Sequence, residues 1–96
     1  FQREEDELGV IESYIGMGWA AREIGKLQQA ERRYQDAMKR AKAGGHGSLE
    51  GQCLAGLGWV EQQKRNFEGA DILFTRALNR FAQHDDKRGV AEAMLG

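Results

Sequence analysis

An all-α fold, built from antiparallel helix-turn-helix repeats stacked as an α-solenoid, is predicted by three features of this 96-residue chain. Proline is absent, and apolar residues recur at helical spacing from end to end, with no alternating stretch of the kind a strand requires. The stripe Leu27, Ala30, Tyr34, Ala37, Met38, Ala41 returns forty residues later as Phe67, Ala70, Phe74, Ala77, Leu78, Phe81 with identical steps. The same displacement carries Gly16-Met17-Gly18-Trp19 onto Gly56-Leu57-Gly58-Trp59 and Arg40 onto Arg80.

A displacement of eighty places Phe1, Asp6, Gly9, Val10, Glu12 and Gly16 on Phe81, Asp86, Gly89, Val90, Glu92 and Gly96, six identities in sixteen positions. The two ends are therefore the same part of the repeat. This divides the single domain 1–96 into 1–7 as the end of a preceding repeat, 8–46 as repeat one, 47–86 as repeat two and 87–96 as the first helix of a truncated third. A piece of a longer array is expected.

Taken in order, the helices are expected at 8–24, 27–43, 48–64, 67–84 and 87–96. The breaks fall at Gly25-Lys26 and Arg65-Asn66 within repeats, and at Gly44-Gly45-His46-Gly47 and His84-Asp85-Asp86 between them. Ser48, Asn66 and Asp86 each offer a short side-chain acceptor at a helix start and are expected as N-caps. Helices of about 16 residues are marginal alone, so each must bury its stripe on a neighbour. Connections this short fold consecutive helices back antiparallel. The expected core is Leu27, Tyr34, Met38, Leu57, Phe67, Phe74 and Leu78. Two glycines in the interior of a helix cost about 1 kcal/mol each relative to alanine. Close approach of a neighbouring helix is the expected compensation.

Composition narrows function. Apolar residues are 41% and charged residues 30%, and no apolar run approaches the length of a membrane span. A net charge of −1 provides no global field for nucleic acid or an anionic membrane. The single cysteine, Cys53, allows neither an internal disulfide nor a cysteine zinc cluster and fits a reducing, cytoplasmic setting. Cys53 reads as a small packing residue, because neither histidine is placed near it. The loop around His46 lacks the lysine and the preceding strand of a phosphate-binding loop, and reads as an inter-repeat turn. The run Glu4-Glu5-Asp6-Glu7 reads as a solvated face or cap. The basic strip Arg32, Arg33, Lys39, Arg40, Lys42 reads as the outer face of the second helix. Ile72 and Leu73 replace Arg32 and Arg33 one repeat on, leaving an apolar face on the fourth helix.

The chain resembles the tetratricopeptide repeat family in its forty-residue variety. The motif positions are Tyr14, Met17, Gly18, Ala30, Tyr34 and Ala37 in repeat one, and Leu54, Leu57, Gly58, Ala70, Phe74 and Ala77 in repeat two. Gly25-Lys26-Leu27 and Arg65-Asn66-Phe67 stand where the family has its inter-helix turn. It departs from the family at Ala21 and Glu61, which replace an aromatic, at Arg65, which replaces the turn glycine, and at Lys42 and Ala82, which stand at the closing proline. The longer variety is similar to repeats of cell-polarity adaptors and of sensor arrays in bacterial signalling regulators, which implies a scaffold in signalling.

The resemblance implies a concave groove lined by the first helix of each repeat. Its floor would be Glu12, Ile15, Trp19, Arg22 and Glu23, continued by Gln52, Ala55, Trp59, Gln62 and Gln63. A groove of mixed charge with two indoles one repeat apart predicts a protein or peptide partner with apolar anchors. The family's clamp for C-terminal carboxylates uses Lys and Asn where Ile15, Trp19, Ala55 and Trp59 stand here, which disfavours chaperone tails. Uncapped repeat ends predict self-association. No acid, base, nucleophile or metal set suggests an enzyme, and no cofactor, catalytic residue or metal site is expected. A nucleic-acid-binding helical repeat of the pentatricopeptide kind is the alternative, and the neutral charge counts against it.

Overall fold

The computed structural model describes residues 2–83. Four helices follow one another, α1 (Gln2–Glu23), α2 (Leu27–Gly44), α3 (Gly47–Gln63) and α4 (Phe67–Gln83), with no strand among the described residues. The starts of α2 and α4 fall where the sequence puts them. The expected fifth helix at 87–96, with its cap Asp86 and the break at His84–Asp86, lies outside the described residues. α1 begins six residues before the expected 8, so the acidic run Glu4–Glu7 forms part of its first turns. Ser48 does not cap α3. That helix already includes Gly47, and His46 occupies the capping position without a side-chain bond. Asn66 does cap, its Oδ1 accepting from the Gly69 N–H at 3.2 Å.

All three connections are built alike. Gly25, Gly45 and Arg65 adopt left-handed backbone with φ of 81°, 73° and 67°. At each one two bonds close the preceding helix. Lys26, His46 and Asn66 donate to the carbonyls of Ala21, Ala41 and Glu61, while Gly25, Gly45 and Arg65 donate to Arg22, Lys42 and Gln62. This is the paired closure of a Schellman motif, which satisfies carbonyls that a helix end otherwise leaves orphaned. The expected glycine-rich loop at 44–47 is therefore no looser than the others. Its second glycine is the left-handed residue.

Each helix packs on the next in sequence, and α1 also touches α3, whereas α2 and α4 do not approach closely. α3 is thus central, which is why it is buried on several sides: Glu50, Gly51, Cys53, Leu54, Gly56, Leu57, Gly58 and Val60 all lie inside. α2, which has α1 and α3 for neighbours, buries one narrow stripe, Ala30, Tyr34, Ala37 and Ala41. Three apolar clusters result, centred on Tyr34, on Ile11 with Cys53, and on Phe81 with Leu54, and the flexible thioether of Met38 packs against all three.

Aromatic rings occupy the room that the glycines leave. The Tyr34 ring lies between Gly18 of α1, where a Cβ would meet it at 3.0 Å, and Gly56 of α3, where a Cβ would overlap it. Phe74 lies against Gly58 and Phe81 against Gly51, at 2.9 and 2.6 Å from the Cβ each glycine lacks. In α1 only the second glycine of the pair receives a ring, whereas in α3 the two have separate duties. In α3 the first admits a ring from α2 and the second a ring from α4.

Of the expected core, Tyr34 and Leu57 are buried, and Leu27, Met38, Phe74 and Leu78 are half-buried. Phe67 is a correction: it is 58% exposed. It is the first residue of α4, and at a helix start the covering turn is missing. Leu27, its counterpart, is half-buried only because it packs on the Tyr34 cluster. Buried Glu50 pairs with Arg80, whose Nε lies 2.9 Å from Oε2, a contact of opposite charges and not an aligned hydrogen bond. Among the described residues no helix is long and apolar enough to cross a membrane.

Two predictions follow from the glycine geometry. Gly56→Ala drives a methyl into the Tyr34 ring and should lower stability by about 1–3 kcal/mol. Gly16→Ala meets open space and should raise stability by about 1 kcal/mol. Paired urea titrations would expose an error if the two variants shifted the same way. Arg65 is the one described non-glycine residue with positive φ, and left-handed backbone costs such a residue roughly 1–2 kcal/mol. Arg65→Gly should therefore raise the thermal midpoint by several degrees, and an unchanged or lower midpoint in calorimetry would contradict the argument.

Candidate binding cleft between the first and third helices

The groove expected from the first helix of each repeat corresponds to a cleft of about 380 Å³ between α1 and α3. Six of the ten expected residues line it: Ile15, Trp19 and Arg22 from α1, and Gln52, Ala55 and Trp59 from α3. The steps 15, 19, 22 and 52, 55, 59 are one helical face each, so two facing stripes make the walls. Glu12, Glu23, Gln62 and Gln63 do not line it. Glu12, Glu23 and Gln63 are exposed, whereas the Oε1 of Gln62 is buried without a hydrogen-bond partner.

Sequence reasoning missed the floor. Tyr34, Gly56 and Phe81 also line the cleft. Tyr34 and Phe81 belong to the second helices, where the resemblance places no groove residue. The signal was present in the two Gly-x-Gly pairs, since a helix stripped of side chains at those positions shows whatever lies behind it.

The two indoles, equivalent in sequence, sit differently. Trp19 is 54% exposed and lines the cleft. Trp59 is half-buried and meets Phe74 edge-on, the ring centroids 5.9 Å apart at 83°. Trp59 also carries the Arg22 guanidinium 5.3 Å from its ring centroid. Arg22 is held further by Glu23 at 3.9 Å. The cleft therefore offers one free indole, one braced indole and a cation stacked on the second.

The basic strip of α2 is not purely solvated, as Arg33 and Arg40 lie over the Tyr14 ring at 5.9 and 5.4 Å. On α4, Ile72 is 61% exposed, in line with the apolar face expected there, while Leu73 is drawn into the clusters of Tyr34 and Phe81. Among the described residues no group of three or more His, Cys, Asp or Glu side chains could hold a metal ion. Comparison of the chain with family models, with curated proteins and with solved structures finds no match in any of the three.

Cys53 lies fully buried against Ile11, Ala37 and Ala41, and burial, with Glu50 nearby, pushes its thiol up to about 12. A protonated, inaccessible thiol is a poor nucleophile. It should resist a thiol reagent at pH 8 in the native state and react at once in urea. The folded state holds the proton to about 12 whereas the unfolded chain releases it near 9. The contribution is complete below the lower value and is lost as pH rises through that window. Cys53→Ala should flatten this alkaline decline, and rapid native labelling at pH 8 would refute the buried placement.

Proposed function

We propose that the chain is a tetratricopeptide-like module that binds a protein segment, a peptide or a helix, in the cleft between α1 and α3. The observation that carries this reading is the lining of that cleft: two indoles from corresponding positions of two repeats, one of them largely free, around a floor of glycine and aromatic carbon. Apolar clefts with a few fixed polar groups are the usual form of a binding site, and tryptophan and arginine are the residue types most often found to dominate binding energy at interfaces. The solenoid reading is supported by the identical turns at Gly25 and Arg65, by the matching insertions of Tyr34 and Phe74 at Gly18 and Gly58, and by contact between α1 and α3.

The occupant inferred is a segment with an apolar or aromatic anchor that stacks on Trp19, with a carboxylate or carbonyl close by for Arg22. A role in signalling assemblies follows from the resemblance, and catalysis is not part of the reading.

Peptides selected from a random library on the wild-type chain provide the test. Trp19→Ala should weaken their binding at least tenfold, since a central interface aromatic is commonly worth 2 kcal/mol or more, and the thermal midpoint should stay put because Trp19 is exposed. Trp59→Ala should lose binding and stability together, because it removes the contact with Phe74. If no peptide is enriched, or if the enriched peptides bind the Trp19→Ala and Arg22→Ala variants as well as wild type, the cleft is not the binding surface.

A further inference from the structure

The buried stripe of α2 is Ala30, Tyr34, Ala37 and Ala41, and the face opposite it is basic. At about 100° per residue, Arg32 and Lys39 stand across the helix from that stripe, with Arg33 and Arg40 on one flank and Lys42 on the other. α2 carries five cations and two acids, a net of +3 against −1 for the whole chain, so the rest of the chain carries −4. Of the two acids, Glu31 is already held by Lys64 at 2.6 Å. Asp36 stands three or four residues from each of Arg32, Arg33, Lys39 and Arg40, the spacing at which helical side chains meet, yet one carboxylate cannot answer four cations. None of the five is in an ion pair among the described residues.

The repeat itself does not require this face. Forty residues on, α4 has Ile72, Leu73, Asn79, Arg80 and Ala82 in the same five places, and Arg80 is drawn to Glu50 at 2.9 Å. Nor does the exposure come from a chain end: α2 packs on α1 and α3, its counterpart α4 does not approach it, and Arg32, Lys39 and Lys42 stay exposed. Two of the cations are also fixed. Arg33 and Arg40 are half-buried over the Tyr14 ring at 5.9 and 5.4 Å, and a guanidinium held on a ring keeps its planar fork for a carboxylate while losing less freedom when it binds one. The surroundings select among anions. The five cations span about 15 Å of helix, so a nucleic-acid duplex or an anionic membrane would run past them onto a surface of the opposite sign. A short acidic chain would not. Arg32 and Lys39, like Arg33 and Arg40, are seven residues apart, about 10 Å along the helix, which an extended chain covers in three residues.

We propose that the outer face of α2 is a docking surface for a short acidic segment of a partner protein, extended along the helix with its carboxylates on Arg32, Lys39 and the two guanidiniums fixed over Tyr14. Tyr34, which floors the cleft between α1 and α3, lies on the opposite side of α2. The proposal therefore does not rest on the reading of that cleft.

A fluorescently labelled octaglutamate peptide, followed by anisotropy at low salt, is the probe. It should bind the wild-type chain and be released as salt rises. The double variant Arg32→Glu with Lys39→Glu should weaken it at least tenfold, with a thermal midpoint close to wild type because both side chains are exposed. Arg32→Gln with Lys39→Gln removes the charge without reversing it and should give a smaller loss in the same direction. Arg65→Glu with Arg76→Glu makes the same change in net charge at exposed positions off this face and should cost far less, and Trp19→Ala should cost nothing. The proposal is overturned if octaglutamate does not bind, if the two double reversals lose equally, or if vesicles of phosphatidylcholine and phosphatidylserine, or oligothymidylate, bind more tightly than the peptide.

Discussion

The insertion of one aromatic ring between two glycines of neighbouring helices is the interaction on which the rest of this structure depends. Tyr34 fills the space that Gly18 and Gly56 leave open, and in doing so ties α1, α2 and α3 together at one point. The glycines are unfavourable within their own helices, and only the packing of a ring against bare backbone offsets that. Tyr34, at 2% exposed, is among the largest fully buried side chains, so truncating it would open a cavity shared by three helices at once. The position of α3 against both α1 and α2 follows from this contact. So does the cleft, whose floor is made of the same Tyr34 and Gly56 that hold the helices together.

Because the floor and the core share residues, the cleft cannot be reshaped independently of stability. The walls are freer. Trp19 projects from α1 into solvent, while Trp59 is braced by Phe74 and overlaid by Arg22. A ligand entering here would meet one adaptable wall and one rigid wall. The rigid wall limits the ordering penalty of binding, which for a rotamer-rich side chain is of the order of 1 kcal/mol.

Much of this was legible in the sequence, for a physical reason. The helical period, the forty-residue displacement and the turn residues are local signals, and each is written in residues that touch the feature concerned. They placed α2 and α4 correctly and brought six residues to the cleft wall. What they did not reveal depended on neighbours. Phe67 looks like a core residue by pattern, yet it starts α4, where no preceding turn covers it. Ser48 looks like a cap, but the left-handed turn at Gly45 starts α3 earlier and leaves His46 in that position. Trp19 and Trp59 are indistinguishable by position, and the contacts that separate them, Phe74 edge-on and Arg22 over the ring, belong to Trp59 alone among the described residues. The Glu50–Arg80 pair was equally hidden, because the corresponding Val10 in repeat one gives no hint of a charge inside.

The left-handed residues Gly25, Gly45 and Arg65 fall at intervals of twenty, and helices α2, α3 and α4 begin at the same interval. Each residue advances a helix by about 100°, so one residue inserted inside α3 would swing every later side chain by that angle and carry Gly58 away from Phe74. The length of this chain is in that sense quantised. Natural variation in length is tolerable only in steps that restore the angular phase, a whole helix with its turn at the least, and a related chain that differs by one or two residues within α3 must carry a compensating change before α4 begins.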